Sequence, residues 1–301
     1  MTHEDTPPPP QTTPAEQLRE YHPTCAKCDY NLTDIDPSGT CPECGTPIIN
    51  GCIRCEYDLT ATDPSSNCPE CGVPVVCSIG HSALGPVPTE TLRAVHTGFR
   101  LVTTLILISI ITGISSYIVL AMVVGRNPDM FYPFSIVSTI INNGLTFGIV
   151  VGWFKLTKPL TGLPDILDAP DKRSFVRVSL WIYAACLAVT TIWQLIPQDP
   201  YANDDPSIMD IVVVIFFLAT YVVMLVVFIS NVLYLGWFAR LVRNRKMTKR
   251  SKHFAWSGPV IAILGLPLLF LGPLITLILY WNMVEYIRRD LKKIINARAA
   301  T

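Results

Sequence analysis

Residues Cys25–Cys77 read CAKCDYNLTDIDPSGTCPECGTPIINGCIRCEYDLTATDPSSNCPECGVPVVC, and this stretch holds nine of the chain's ten cysteines. Aligning 25–49 with 52–76 gives 14 identities in 25 positions at a period of 27, so the block is a tandem duplication. Tyr30/Tyr57, Leu32/Leu59 and Asp36-Pro37/Asp63-Pro64 are among the repeated residues. Each copy has the spacing C-x2-C-x12-C-x2-C, which lets two tight knuckles present four thiolates as a tetrahedron around one ion. The expected ligands are Cys25, Cys28, Cys41 and Cys44 for one ion, and Cys52, Cys55, Cys68 and Cys71 for a second. Soft anionic sulfur suits zinc, with iron as the alternative, and four sulfurs leave no position open to water. Two structural zinc ions are therefore expected.

A disulfide framework is the competing expectation, because a domain of about 40 to 50 residues needs cross-links or metal to fold. Gly after the second cysteine, as in CPECG in both copies, favours a metal knuckle. A redox CxxC of thioredoxin type lacks its surrounding βαβ pattern. Tyr30, Leu32, Ile48, Ile49, Tyr57, Leu59, Val75 and Val76 can form only a miniature core, so metal binding supplies most of the folding free energy. Asp-Pro-Ser turns at 36–38 and 63–65 suit a short β-hairpin in each copy.

Each repeat resembles a short zinc ribbon, and CxxCxY with CPxCG is also similar to the rubredoxin-like ribbon of rubrerythrins, whose metal is iron. Asp29 and Glu56 stand where that family has Gly after the second cysteine. The Gly lets backbone amides reach the sulfurs and tune a redox potential, so its replacement points toward zinc. The whole layout is similar to multi-pass membrane proteins of planctomycete bacteria, a family that brings no activity with it.

Beyond the ribbons the chain turns apolar. Half of its residues are hydrophobic, 15% are charged, and the mean hydropathy is +0.40. Spans are predicted near 101–124, 131–154, 178–197, 211–239 and 254–287, each meeting the length of about 20 apolar residues that a bilayer demands. The last is interrupted by Gly265, Pro267 and Gly272-Pro273, which predicts either a broken hairpin or a single kinked span. The predicted organisation is a disordered arm at 1–24, ribbons at 25–50 and 51–77, a linker at 78–98, a helical membrane domain at 99–287 and a basic amphipathic tail at 288–301. The fold class is two small β zinc ribbons in tandem followed by an all-α multi-span transmembrane bundle. MTHEDTPPPPQTTP offers neither a basic start nor an apolar run, so no cleavable secretory signal is expected.

Basic residues set the expected orientation. With the ribbons cytoplasmic, the inner loops hold Lys155, Lys158, Lys172, Arg173 and Arg177, then Arg240, Arg243, Arg245, Lys246, Lys249, Arg250 and Lys252. The outer loops hold Arg126 and an acidic stretch, 198–210. This is a positive-inside pattern, and it agrees with thiols kept reduced in a cytoplasm. The expected location is a bacterial inner membrane, with anionic lipid as a partner of the basic loop and tail.

Gly144, Gly148 and Gly152 mark a close helix-packing face in the second span, intramolecular or self-associating. Asn142 and Asn143 lie mid-span, and their amides are expected to bond neighbouring helices. Cys186 reads as a small buried hydrophobe and His81 beside Cys77 as a linker residue. HExxH, GxSxG, Walker motifs and paired intramembrane carboxylates are all lacking, so the sequence supports no enzyme. Residues 25–77 hold Lys27 and Arg54 against eight acids, Asp29, Asp34, Asp36, Glu43, Glu56, Asp58, Asp63 and Glu70. Two metal-tetrathiolate sites would add further negative charge, so nucleic acid is repelled rather than bound. The reading is a membrane-anchored cytoplasmic interaction module with a protein partner for its acidic ribbons. The alternatives are a transporter or channel regulated by the ribbons, or an Fe(Cys)4 redox protein.

Overall fold

The structure, a computed structural model, describes residues 25–299 apart from 26–27, 29, 33–34, 37–38, 46–47, 49–50, 60–61, 64–65, 79–82, 85–86, 125–126, 128–129, 164, 166, 197–207 and 266–270. The predicted N-terminal arm lies outside the described residues. Among the described residues six α-helices follow one another: α1 (Thr89–Val119, prolonged by a π-helical turn Leu120–Val124), α2 (Phe131–Leu156), α3 (Pro170–Leu195), α4 (Ile208–Leu241), α5 (Arg245–Leu264) and α6 (Leu271–Ala299). The chain divides into two units. One comprises residues 1–88 with 160–169 and 241–243, and the other comprises 89–159, 170–240 and 244–301.

Among the described residues, four helical stretches are long and apolar enough to cross a membrane, Thr89–Met122, Phe131–Leu156, Pro170–Leu195 and Ile211–Leu241. At about 1.5 Å per residue the shortest reaches about 39 Å, more than a hydrocarbon core of about 30 Å. Their large apolar side chains point outward, with Ile111, Trp181, Ile215 and Leu218 all exposed. That inversion of the soluble pattern is what a lipid solvent selects, and it marks an integral membrane protein.

Within the helical unit, packing distance follows residue size. α1 and α2 pack extensively, and their closeness rests on Gly148 and Gly152. A Cβ on Gly148 would lie 2.8 Å from Leu105 Cδ1, and one on Gly152 2.6 Å from Val102 Cγ2. Gly144, the third of the row, has nothing within 4 Å of such a carbon. Asn143 donates to Thr191 Oγ1 at 2.8 Å and ties α2 to α3, whereas Asn142 stays within its own helix, donating to the Ser138 carbonyl at 2.8 Å. α4 packs through rings instead: Phe99–Phe238 at 5.2 Å, Trp153–Tyr234 at 6.2 Å and Phe228–Tyr280 at 5.5 Å between centroids. Its Tyr234 hydroxyl donates to the Leu156 carbonyl at the end of α2, at 3.1 Å. Arg177 likewise donates to Thr157 Oγ1 at 3.2 Å. Cys186 is half-buried.

Several expected boundaries move. α1 begins at Thr89, ten residues ahead of the predicted domain start, so half of the predicted linker is helical. The segment near 254–287 is two helices that pack on each other, α5 ending at Leu264 and α6 beginning at Leu271. The break falls at Gly265, whose amide closes α5 on the Ile261 carbonyl at 3.0 Å, and the Gly272 backbone lies directly against it. The predicted basic loop is mostly helix as well. Arg240 lies in the last turn of α4, which ends at Leu241; the turn is only Val242–Asn244, and the following basic residues open α5. Arg243 takes φ 52° and the Asn244 amide reaches back to the Ala239 carbonyl at 2.9 Å, a left-handed helix stop. Asn244 then caps α5 by accepting from the Met247 amide. The predicted tail is no separate element either. α6 continues through it, because the buried Glu285 carboxylate holds Arg288 at 2.6 and 2.7 Å and Arg289 at 2.9 Å along one helix face.

The glycine row yields a paired prediction. Gly152→Val is expected to destabilise the bundle by about 1–3 kcal/mol through overpacking against Val102, and Gly144→Val by less than 0.5 kcal/mol or so. Thermal unfolding of both variants in one detergent measures the difference.

Candidate metal centres

The ribbon unit is built from turns. Among its described residues an isolated antiparallel bridge joins Asn67 with Pro74, followed by a 3-10 turn, Val75–Ser78, and Asn31 and Thr40 also take part in bridges. The duplication extends to the hydrogen bonds. Gly39 and Ser66 donate to the Asp36 and Asp63 carbonyls, both at 3.0 Å, and Ile48 and Val75 donate to the Gly39 and Ser66 carbonyls at 3.1 and 3.0 Å.

The knuckles share one geometry. The amide following the second cysteine returns to the carbonyl of the first: Gly45 to Cys41 at 2.8 Å, Glu56 to Cys52 at 3.0 Å and Gly72 to Cys68 at 2.8 Å. Closing so tight a turn forces a left-handed residue at its end, and φ is 66° at Gly45, 67° at Glu56 and 71° at Gly72. Glycine takes this conformation without penalty; for a residue with a Cβ it costs about 1–2 kcal/mol. The expectation drawn from Glu56 is thereby corrected. The missing Gly does not withdraw the backbone from the sulfur, because Glu56 adopts the strained conformation and the Tyr57 amide still faces Cys55, as the Tyr30 amide faces Cys28.

These turns gather the eight predicted sulfurs into two groups, Cys25, Cys28, Cys41 and Cys44, and Cys52, Cys55, Cys68 and Cys71. Within each group the ligand atoms lie within 4.8 Å of one another. The pairing is the same in both copies: Cys25–Cys44 at 3.5 Å and Cys28–Cys41 at 3.6 Å, then Cys52–Cys71 at 3.4 Å and Cys55–Cys68 at 3.6 Å. A tetrahedral ion with metal–sulfur bonds of about 2.3 Å sets its sulfurs about 3.8 Å apart, so each cage fits one such ion after a small expansion. No disulfide joins any of the ten cysteines, and these separations far exceed the bond length of about 2.05 Å.

Crowded sulfurs divide their protons unevenly. The Tyr30 amide pulls Cys28 down, but burial and the neighbouring Cys44, Cys41 and Cys25 outweigh it and push this thiol up to about 12. Burial, opposed by the Tyr57 amide and reinforced by Cys71, Cys68 and Cys52, likewise pushes Cys55 up to about 12. In Cys68 burial is overcome by the amides of Cys71 and Glu70 and by bonds from Cys55 and Cys71, bringing it down to about 7. Cys28 and Cys55 therefore keep their protons near neutrality, and an ion must displace them.

Around the cages, Leu32, Ile48, Leu59 and Val75 are buried as expected, while the tyrosines are not: Tyr30 is 40% and Tyr57 43% exposed. Their backbones serve the knuckles, since their carbonyls accept from Cys25 and Cys52 at 2.8 and 2.7 Å, and the rings project outward. Sequence reasoning also missed two supporting segments of the same unit. Leu160, Leu163, Leu167, Leu241 and Val242 are buried there. The Ala83 amide donates to the Leu241 carbonyl at 2.9 Å, and Arg243 donates to the Gly51 carbonyl at 3.4 Å, at the joint between the copies. Cys77 is buried, which with the nearby Cys52 pushes its thiol up to about 11; its suggested companion His81 lies outside the described residues.

The fold and the two cages define a class, a multi-pass membrane protein carrying a pair of four-cysteine metal-binding sites. Comparison with family models, with curated proteins and with solved structures finds no match to this chain.

Two outcomes follow from the cages. Zinc loading is expected to release the protons of Cys28 and Cys55, so the apparent affinity falls as pH is lowered anywhere below about 12; calorimetric titration in buffers of different ionisation enthalpy counts the protons. Glu56→Gly is expected to stabilise the second ribbon by about 1 kcal/mol by relieving the left-handed strain, measured as a later chelator-induced unfolding midpoint.

Proposed function

We propose that the protein is a membrane-anchored interaction module in which two zinc-held ribbons present a matched pair of acid-rimmed tyrosines to a basic protein partner in the cytoplasm. The observation that carries this reading is the outward placement of Tyr30 and Tyr57 at equivalent positions of the two copies. A domain with so small a core gains from burying such rings; exposing both is a local loss that a partner's contact would recover. Glu43, Glu56, Asp58, Asp63 and Glu70 are exposed on the same unit and set the sign of the partner.

Zinc is assigned the structural role because the cages are closed by four thiolates and leave no coordination position for a reactant. The cytoplasmic side is assigned from the basic residues of 155–177 and 240–252 against the acidic 198–210. Four crossings, with α5 and α6 entering and leaving the same leaflet, would return the basic end of α6 to the ribbon side.

The test uses the full chain loaded with zinc in nanodiscs of neutral lipid, and fluorescently labelled synthetic peptides, one Lys/Arg-rich and one of the same length rich in Asp and Glu. Binding of the basic peptide alone, weakening with salt and falling about tenfold in a Tyr30→Ala, Tyr57→Ala double variant, is the expected result. Equal binding of both peptides, or a double variant that binds like the parent, overturns the reading. Chelation is expected to loosen the chain around Arg54 enough for tryptic cleavage there, while the helical signal of the bundle persists. Visible absorption from the purified chain would assign iron instead, flux through liposomes would assign conduction, and a cysteine label reaching position 203 from the cytoplasm would reverse the orientation.

A further inference from the structure

α5 is packed on one side only. Met247, Ser251, Phe254, Gly258 and Ala262 are buried along it. There Phe254 meets Phe228 at 5.4 Å between ring centroids, and the Gly258 carbonyl accepts from Thr276 Oγ1 of α6 at 3.2 Å. These contacts fix which face looks outward, and the outward face changes character along the axis. Lys246, Lys249, Arg250 and Lys252 are exposed at its start. Trp256 follows, 75% exposed, and Val260, Ile263 and Leu264 end it, all exposed. With 3.6 residues per turn, all eight fall in one sector of about 160°. α5 contains no acidic residue. Among the described residues none of the four cations makes an ion pair, whereas Arg288 and Arg289 of α6 are both held by Glu285.

A helix lying flat on a membrane separates polar from apolar around its axis. α5 separates them along its axis, on one and the same side, which is the pattern of a helix that enters the bilayer by its C-terminal end. The lengths agree. Lys246 to Lys252 advances about 9 Å, on the scale of a headgroup layer, and Trp256 to Leu264 about 12 Å, less than half of a hydrocarbon core of about 30 Å. Trp256 stands between the two, at the level where indole rings settle in membranes. The occupant of this face must meet four bare cations and an apolar tip together. An acidic soluble protein would meet the cations and leave the tip in water; a leaflet without net charge would cover the tip and leave the cations uncompensated. We infer that α5 enters one leaflet end-on, with Trp256 at the headgroup boundary, and that Lys246, Lys249, Arg250 and Lys252 bind the phosphates of anionic phospholipids. This rests on the entry of α5 into one leaflet proposed above, to which it adds a depth and a lipid, and it is independent of what the ribbons bind.

The test uses the full chain in phosphatidylcholine nanodiscs doped with lipid brominated in its acyl chains, either phosphatidylglycerol or phosphatidylcholine. Subtracting the emission of a Trp256→Phe variant isolates Trp256 from the other tryptophans. The expected result is half-quenching of Trp256 at a several-fold lower mole fraction of the brominated phosphatidylglycerol than of the brominated phosphatidylcholine. A Lys249→Gln, Arg250→Gln, Lys252→Gln variant should bring that ratio close to one, and so should high salt in the parent chain. Lys155→Gln with Lys158→Gln, at the end of α2, should leave it unchanged. Equal quenching by the two lipids in the parent overturns the lipid assignment while the entry of α5 stands. Quenching of Trp256 by aqueous acrylamide and by neither lipid overturns both, and leaves the face to water or to an acidic protein. A preference that salt does not reduce, or that the Lys155 and Lys158 changes remove as well, overturns the assignment to α5. If the triple variant does not fold, the salt series on the parent gives the same comparison.

Discussion

A hydrocarbon layer gives the peptide backbone nothing to bond to, and the helical unit is arranged around that single restriction. Along the four long apolar segments the backbone closes its hydrogen bonds within helices, after which the side chains are left to settle the spacing. Between α1 and α2 they do so by vanishing, with Gly148 and Gly152 admitting Leu105 and Val102 almost onto the backbone. Around α4 they do so by filling, with Phe228, Tyr234 and Phe238 standing between helices. Polar groups that remain inside are bonded along the helix, as in Thr103 to the Phe99 carbonyl, or across it, as in Asn143 to Thr191.

The ribbon unit obeys a different restriction. It has few large buried side chains of its own, and its chain path is set by sulfurs that must converge. Turn geometry follows from that demand down to the φ of single residues, and the recurrence of bonds at a spacing of 27 shows how completely the turns are dictated by it. The leucines of 160–169 and the Leu241–Arg243 turn belong to this unit, so it is held by more than metal chemistry.

What could be read in advance divides along the same line. Cysteine spacing announces the two cages because a tetrahedron of thiolates admits few loop lengths, and long uncharged runs announce helices because no alternative is open to them in lipid. The contribution of Leu160, Leu163 and Leu167 had no signal, since a leucine in a connecting loop has no periodicity to betray which surface it meets. The outward turn of Tyr30 and Tyr57 was misread as core because hydrophobicity alone does not say that the backbone of a residue is already committed to its neighbours' sulfurs. The basic segment after Arg240 was misread as loop because charge obscured a helix whose cap, Asn244, lies beyond a left-handed Arg243.

Glu56 holds a backbone conformation that glycine would adopt without cost, and it sits between the sulfur of Cys55 and the exposed ring of Tyr57. A carboxylate on an ordinary surface loop samples many directions and loses that freedom when a partner arrives, a loss of about 0.5–1.5 kcal/mol per ordered side chain. The main chain beneath Glu56 has already given up its freedom on folding, since its amide and φ are fixed by the knuckle. The strain at this position is therefore a form of preorganisation: charge and ring stand on a rigid base before any encounter, and association has less disorder to remove.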